Sequence, residues 1–459
     1  MAGGGARGAL ARQLVQRVTV GTGSAGRPGA AARPGDDGPD VRRYARRGVL
    51  GAVLVLVAFG VYGAFAVRPF YPGDETAHAN YALEVSHGRL PEFIDRFPPR
   101  IPGMGATPTW TAVHGPLYYL FAGWPLRLGI AVGHPVGGLR ATRVLTLLLS
   151  AVTVVVVARL AAALLPGRPR VAVAGAGLLA LVTSYQQVSA AVYNDALAVL
   201  AATATLLLIV RAVRDGCGPR LTGMLALAAA GCAATRASGL EVAALAAVAA
   251  ACPPPGERGR PWRRLVAAAA RAGSVGAAVV VTTGWFYARN LRLYGDVAGS
   301  ARATLGTRPG PASLDNALSG PFWLDQYGQL WGSMTGGDHV RGGVAAAAYG
   351  LLAAVALGGA LAAGRWAGRR VWHGTPRPPG RLVVAWLVMG VHAGLVTAAL
   401  LSYVHHGAIP FVRYLFPALP LLPIVAAAGL AGLPGGRRGL PTVAALLVAT
   451  GIGVAMTGV

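Results

Sequence analysis

The sequence is dominated by recurring apolar runs of about 20 residues. A helix of that length crosses the roughly 30 Å hydrocarbon core of a bilayer. The first run, Gly48–Val67, carries no charged residue. Only 12% of all residues are charged and the mean hydropathy is +0.53, which excludes a soluble protein of this length. Short segments of alternating polarity, which a membrane β-barrel needs, are missing. The sequence therefore predicts an all-α polytopic membrane protein.

The chain is strongly basic, with a formal net charge of +25 that comes entirely from arginine. Basic chains often bind nucleic acid. Here the arginines flank the apolar runs, which is the positive-inside pattern of membrane proteins, so no nucleic-acid partner is predicted. The three cysteines have neither metal-ligand nor disulfide spacing; they are Cys217, Cys232 and Cys252.

Two regions differ in composition. Residues 1–47 are rich in Gly, Ala, Pro and Arg, which predicts a disordered basic tail. Residues 48–459 form the predicted transmembrane domain. The tripeptide Ala-Phe-Ala at 64–66 resembles a signal-peptide cleavage site. The preceding run is longer than a signal-peptide core, which favours a retained anchor with a cytoplasmic N-terminus in the plasma membrane.

Charge distribution sets the predicted threading. If all twelve apolar runs span, every arginine-rich loop falls outside the cell. The run 114–130 is short and is interrupted by Pro116, Pro125 and Arg127, so it is predicted to be an interfacial or re-entrant helix. Five loops with sixteen arginines and two acids then become cytoplasmic, as the positive-inside rule expects.

This threading leaves about eleven transmembrane helices. They are predicted at 48–67, 141–165, 171–190, 194–213, 221–234, 237–252, 265–287, 343–363, 381–404, 411–433 and 440–458. Ten of the sixteen acids and two long loops, 68–140 and 288–342, lie on the outer face. Long loops on one face often carry function.

An acidic pair follows the first run in "DETAHANY". Asp74 and Glu75 are adjacent, and His78 lies on the same face of a helix that starts there. A carboxylate at the mouth of a membrane domain can act as a general base or a metal ligand. Alternatively, Asp74 is only the N-cap of that helix.

Further candidates fall on the same outer face. His114 opens the interfacial segment and is either a cavity residue or an ordinary interface histidine. Asn194 and Asp195 start a helix, so N-capping is their alternative reading. Glu241 is predicted to pair with Arg236.

Two outer segments offer cations for a phosphate group. Arg289, followed by Asn290, leaves the seventh span, where it either snorkels or binds phosphate. His405, Arg413 and Tyr414 cluster between the ninth and tenth spans. Arg413 lies inside an apolar run, and a charge at that depth tends to face a cavity or a partner.

Taken in order, these elements resemble the GT-C superfamily of membrane glycosyltransferases. The similarity is greatest to bacterial protein O-mannosyltransferases and lipid A aminoarabinose transferases, known as glycosyltransferase family 39. The matching stretches run from about residue 48 to 430; they are "DETAHANYA…HGRLP", "HGPLYYL", "LRATRVLTLLLS", "YNDALAVL", "TRASGL", "WFYARNLRLYGD" and "VRYLFPALPLL". The short C-terminus departs from relatives that carry a further soluble domain, and this leaves the acceptor open.

The resemblance implies a sugar transfer from a polyprenyl-phosphate donor to a protein or glycan acceptor outside the cytoplasmic membrane. Asp74 and Glu75 match the acidic pair of the first outer loop in that superfamily. We expect Asp74 to be the general base, while Glu75 positions the acceptor or assists a divalent cation; no cofactor is otherwise implied. Arg289 and Arg413, with His405, would hold the phosphate.

Two other classes of protein fit the same spans. A transporter or flippase for a lipid-linked saccharide should carry ionisable residues at the membrane midplane and inverted repeats. The predicted span interiors are almost free of charge and show no repeat. A non-catalytic envelope-assembly protein would have no need for the acidic pair, since a fold alone does not fix function.

Overall fold

The architecture is a bundle of α-helices. The computed structural model describes residues 39–71, 74–299, 317–331, 354–362, 365, 380–406 and 409–435. Within these ranges the extended backbone is limited to one isolated bridge between Arg96 and Pro108. The predicted span 440–458 and most of 343–363 lie outside the described residues, as does the tail 1–38.

The principal helices follow one another with short connections. They are α1 (Pro39–Ala66), α2 (Glu75–Ser86), α3 (Leu117–Ala131), α4 (Pro135–Leu164), α5 (Pro169–Leu181), α6 (Thr183–Ser189), α7 (Asp195–Asp215), α8 (Pro219–Ala233), α9 (Gly239–Ala250), α10 (Pro261–Tyr294), α11 (Gly320–Trp331), α12 (Gly380–His405) and α13 (Leu421–Leu430). Two short 3-10 turns cover Trp110–Val113 and Val412–Leu415.

Helix α1 begins earlier than the sequence predicted. It starts at Pro39, so the basic stretch 41–47 forms its first turns instead of belonging to the tail. Proline is favoured at the start of a helix, where its missing N–H costs nothing. Asp40 in the first turn complements the helix dipole.

Five helices are apolar and long enough to cross a membrane; they are 40–66, α4, α7, α10 and α12. Helices α5 and α6 together make a sixth candidate, bent by 67° at Val182. The multi-pass membrane fold is confirmed, whereas the number of eleven spans stays a prediction. Helix α9 has 12 residues, or about 18 Å, which is less than a bilayer core.

Alternating helices bring their ends together at two opposite poles. At one pole Arg214 donates to the carbonyl of Ala163 and Arg271 to that of Ala250. At the other pole Tyr287 donates to the carbonyl of Ala233 over 2.6 Å. The arginine-rich connections meet at the first pole and the acidic loop 68–140 at the second, as the threading predicted. We call the second pole the site end.

The predicted division within 221–252 is confirmed. Helix α8 ends at Ala233 and α9 starts at Gly239, so the chain turns at the "TRASG" motif. The two helices touch closely there, because a Cβ on Gly239 would lie 2.2 Å from the Cys232 carbonyl oxygen. A glycine is therefore required at this contact.

Candidate functional site

The turn before α2 carries Asp74. Helix α2 begins at Glu75, but the Asp74 side chain makes no capping hydrogen bond. Its carboxylate instead forms an ion pair with Nη2 of Arg413. The alternative that Asp74 only caps the helix is therefore wrong. The predicted end of α2 is confirmed, since the helix stops at Ser86 and Gly88 takes the left-handed conformation with φ 75°.

Arg413 lies on the 3-10 turn Val412–Leu415, between helices α12 and α13. Aromatic rings surround its guanidinium: Phe411 at 4.9 Å, Tyr414 at 5.8 Å and Tyr193 at 5.9 Å from the ring centroids. Its side chain is only 12% exposed. Nε of Arg413 is buried and has no hydrogen-bond partner. The guanidinium thus keeps one donor for an anion.

Glu75 lies in a different environment from its neighbour. Its side chain is fully buried and forms a bidentate pair with Arg143, with Nε–Oε1 at 2.8 Å and Nη2–Oε2 at 2.6 Å. The backbone N–H groups of Phe70 and Val192 also donate to it, each over 2.9 Å. Each carboxylate oxygen therefore accepts two hydrogen bonds.

Arg143 fastens Glu75 to the end of helix α1. It donates to the carbonyls of Ala64, Val67 and Arg68 over 3.3, 2.9 and 3.1 Å. We call Glu75 and Arg143 with these contacts the buried hub. Since all its acceptor positions are used, Glu75 holds the loop that presents Asp74. The predicted roles of Glu75 toward an acceptor or a metal are not supported by this arrangement.

Two predicted histidines lie together beside Asp74. The rings of His78 and His114 stack at 6.5 Å between centroids. His78 Nδ1 is 2.9 Å from the hydroxyl of Tyr119, and its ring lies 4.6 Å from that of Tyr193. Tyr81 donates to the carbonyl of His114. The reading of His114 as a cavity residue is thereby favoured.

Burial and nearby cations keep these histidines neutral. Desolvation lowers the pKa of His78 well below 6.5, and His114, Arg413 and Arg236 lower it further. Burial likewise lowers the pKa of His114, with added effects from Arg236 and Arg413. A neutral imidazole offers one donor and one acceptor, so both rings can orient sugar hydroxyls.

Acidification should destabilise the protein through His78. Its folded-state pKa is lower than its unfolded value of about 6.5, so the unfolded chain binds more protons below that pH. Stability is therefore complete above pH 6.5 and is lost as the pH falls below it. The slope is at most about 1.4 kcal/mol per pH unit for one such group. Denaturant unfolding between pH 7.5 and 5 measures it.

The variant His78→Gln should reduce this slope. His134→Gln, at an exposed position of the same loop, serves as the matched control and should leave it unchanged. Equal slopes in all three proteins would contradict the burial effect.

Asp195 and Arg236 form a second ion pair at the site end. Asn194 and Asp195 precede and start helix α7, yet Asn194 makes no side-chain capping bond. Its amide instead donates to the carbonyl of Thr235 over 3.4 Å. The N-cap reading is therefore wrong for Asn194. The predicted pairing of Arg236 with Glu241 is also wrong, because Arg236 pairs with Asp195.

The remaining predicted residues are more scattered. Arg289 donates to the carbonyls of Leu90 and Pro91 over 3.2 and 2.7 Å, while its Nη1 is buried without a partner. Asn290 donates to the carbonyl of Val113 over 3.0 Å and therefore braces the loop. Tyr414 packs beside Arg413. His405 is exposed and stacks on His406, so the structure does not support its predicted role with phosphate.

Sequence reasoning missed Arg143, Arg236 as a partner of Asp195, and the tyrosines beside His78. One signal was available, because Arg143 lies inside the apolar run 141–165. The same argument from the cost of a charge at that depth selected Arg413. Among the described residues, no three His, Cys, Asp or Glu side chains gather as metal ligands.

Comparison with known proteins agrees with this site end. Residues 114–285 match the family model described as dolichyl-phosphate-mannose-protein mannosyltransferase. The matched segment contains His114, Arg143 and Asp195, whereas Asp74 and Arg413 lie outside it. Comparison with curated proteins gives no match.

Solved structures of the oligosaccharyltransferase from Archaeoglobus fulgidus show a distant likeness. AglB in complex with an inhibitory peptide and a dolichol-phosphate has a TM-score of 0.47 at 11% identity, covering 90% of this chain and 56% of that chain. The apo form has a TM-score of 0.42 at 13% identity, covering 83% and 50%. The chain thus spans about half the length of these structures. The match over 114–285 confirms the resemblance, and the chain is a membrane protein of the GT-C glycosyltransferase type.

Proposed function

We propose that the protein transfers a sugar from a polyprenyl-phosphate donor to a protein or glycan acceptor on the outer face of the cytoplasmic membrane. The observation that carries the proposal is the ion pair of Asp74 and Arg413 at the site end. It places a base and a phosphate-binding cation side by side. The family match supports a lipid-phosphate-linked donor.

The transfer step uses this pair directly. The acceptor hydroxyl attacks the anomeric carbon of the sugar and gives its proton to the Asp74 carboxylate. The bond between the anomeric carbon and the phosphate oxygen breaks, and its electron pair leaves with the polyprenyl phosphate. Arg413 stabilises the charge that develops on that phosphate. A single displacement of this kind inverts the anomeric carbon.

The guanidinium is arranged to receive an anion. Asp74 engages Nη2 of Arg413, but the buried Nε has no partner. A donor left unsatisfied in a low-dielectric environment is costly, and a phosphate oxygen would satisfy it. Arg289 has a similar unpartnered Nη1, which makes it the second phosphate candidate.

The described side chains around Asp74 do not fit a divalent cation. Both oxygens of Glu75 are saturated by N–H donors, and Arg413 takes the place beside Asp74 where a cation would bind. A divalent ion needs several oxygen or nitrogen ligands, of which Asp74 supplies one. The proposed step therefore uses arginine alone.

Substitution of Arg413 tests the proposal. Arg413→Ala should lower kcat/KM for a polyprenyl-phosphate sugar roughly 10- to 150-fold, since a hydrogen bond to a charged group contributes about 1.5–3 kcal/mol. Arg413→Lys keeps the charge but loses the planar fork, so it should recover only part of the activity. Sugar transfer by purified protein in liposomes is the measurement.

An exposed arginine of the same outer loop provides the control. Arg96→Ala removes a side chain whose hydrogen bond goes to the carbonyl of Ala106, and it should leave transfer unchanged. Movement of the lipid-linked sugar across the liposome membrane without any transfer would support a flippase instead. Wild-type activity in Arg413→Ala would exclude the proposed role.

A further inference from the structure

Two ionisable residues lie buried inside the apolar helices and have no part in the step above. His392 of helix α12 is fully buried, and its Nδ1 is 2.9 Å from Oε1 of Glu241 in α9. This is an ion-pair separation without hydrogen-bond alignment. Ionisable residues within membrane helices are costly and usually functional.

The second ring nitrogen of His392 reaches a different element. Its Nε2 lies 3.1 Å from the carbonyl oxygen of Pro417. A carbonyl only accepts hydrogen bonds, so Nε2 must carry the proton in this contact. The Glu241 carboxylate then faces Nδ1 and fixes the orientation of the ring. His392 thereby ties the segment 409–420 to helices α9 and α12.

The segment 409–420 carries Arg413 and cannot hold itself in place. It contains Pro410, Pro417 and Pro420, which interrupt regular helical hydrogen bonding. Residues 412–415 form only a short 3-10 turn. Its buried backbone groups therefore need partners from neighbouring elements.

Those partners lie on both sides of Arg413. On the N-terminal side, Gln329 of α11 accepts from the N–H of Val412 over 2.9 Å and donates to the carbonyl of Pro410 over 3.1 Å. On the C-terminal side, His392 holds Pro417, four residues after Arg413. The two contacts fix the backbone that aims the guanidinium at Asp74.

We propose that His392, with Glu241 behind it, is a positioning residue for Arg413. It acts through the Pro417 carbonyl and does not touch the sugar or the phosphate. This inference rests on the proposed function for its effect on catalysis, but its effect on the segment 409–420 can be measured separately.

The first test compares transfer kinetics. His392→Leu removes the donor and should raise KM for the polyprenyl-phosphate sugar about tenfold with a smaller change in kcat, the effect of one lost hydrogen bond. His392→Gln keeps an N–H at the position of Nε2 and should restore KM. Glu241→Gln should shift KM in the same direction by about threefold, from a weakened contact of this kind.

The matched control is Val396→Ala, one turn further along α12. Val396 is 3% exposed, and its truncation removes packing without any polar contact. It should leave KM unchanged. If His392→Leu and Val396→Ala behave alike, or if His392→Gln does not rescue, the positioning role is overturned.

The second test does not depend on activity. Amide hydrogen exchange at Val412, Arg413 and Tyr414 should be faster in His392→Leu than in wild type and Val396→Ala. Equal exchange in all of them would overturn the inference. A wild-type protein that transfers no sugar would instead remove the proposed function, while the exchange result still decides the role of His392.

Discussion

Replacing Asp74 by asparagine is expected to lower kcat about 100- to 10,000-fold, the usual contribution of a general base. The amide keeps the size of the carboxylate and can still accept a hydrogen bond from Arg413, but it cannot take the acceptor proton. Binding of the polyprenyl-phosphate sugar should therefore persist. Initial rates of transfer and donor titration, measured on the same purified protein, separate the two effects.

An exposed carboxylate of the same loop supplies the control for Asp74. Glu92→Gln removes one charge from the outer loop, and its rates should equal those of wild type. If Asp74→Asn loses donor binding but not turnover, Asp74 serves to orient Arg413 and another group is the base. Unchanged kcat in Asp74→Asn would remove it from the reaction.

Replacing Arg143 by alanine is expected to lower the free energy of unfolding by about 3–5 kcal/mol, the usual cost of leaving one buried charge without its partner. Glu75 is fully buried, so its charge would remain in a low-dielectric environment. The carbonyls of Ala64, Val67 and Arg68 would also lose their donor. Denaturant unfolding of the protein in detergent measures the loss.

Two further variants show whether the buried charge is the cause. The double variant Glu75→Gln with Arg143→Met removes both charges and should be more stable than Arg143→Ala. Arg89→Ala breaks the pair between Arg89, which is 65% exposed, and Glu84, so it should change stability little. Equal losses in Arg89→Ala and Arg143→Ala would contradict the special cost of the buried hub.

Much of the fold could be predicted because membrane helices leave strong one-dimensional signals. Run length and arginine distribution gave the helix order and the pole at which the acidic loop meets Arg413. Helix boundaries were less accurate. Helix α1 extends back to Pro39, since a basic stretch continues a helix in water as readily as it forms a tail. Helix α5 breaks at Val182, where the sequence has no proline or glycine to announce the break.

The site was predicted in outline only. A charge inside an apolar run singled out Arg413, and the acidic pair singled out Asp74. Sequence spacing could not show that Glu75 and Asp74 have separate partners, because Arg143 follows Glu75 by 68 residues. Local rules also predicted an N-cap at Asp74 and at Asn194, but tertiary partners displaced the capping bonds.

The buried hub also constrains how the protein is made. Glu75 needs Arg143, which follows it by 68 residues, and the N–H of Val192, which follows it by 117. During synthesis the first outer loop therefore emerges well before its partners, and Glu75 stays hydrated until the later helices insert. A nascent chain halted before Val192 would hold an incomplete loop open to proteases. Closure of this contact is then a late checkpoint of biogenesis, which couples a finished bundle to a formed catalytic mouth.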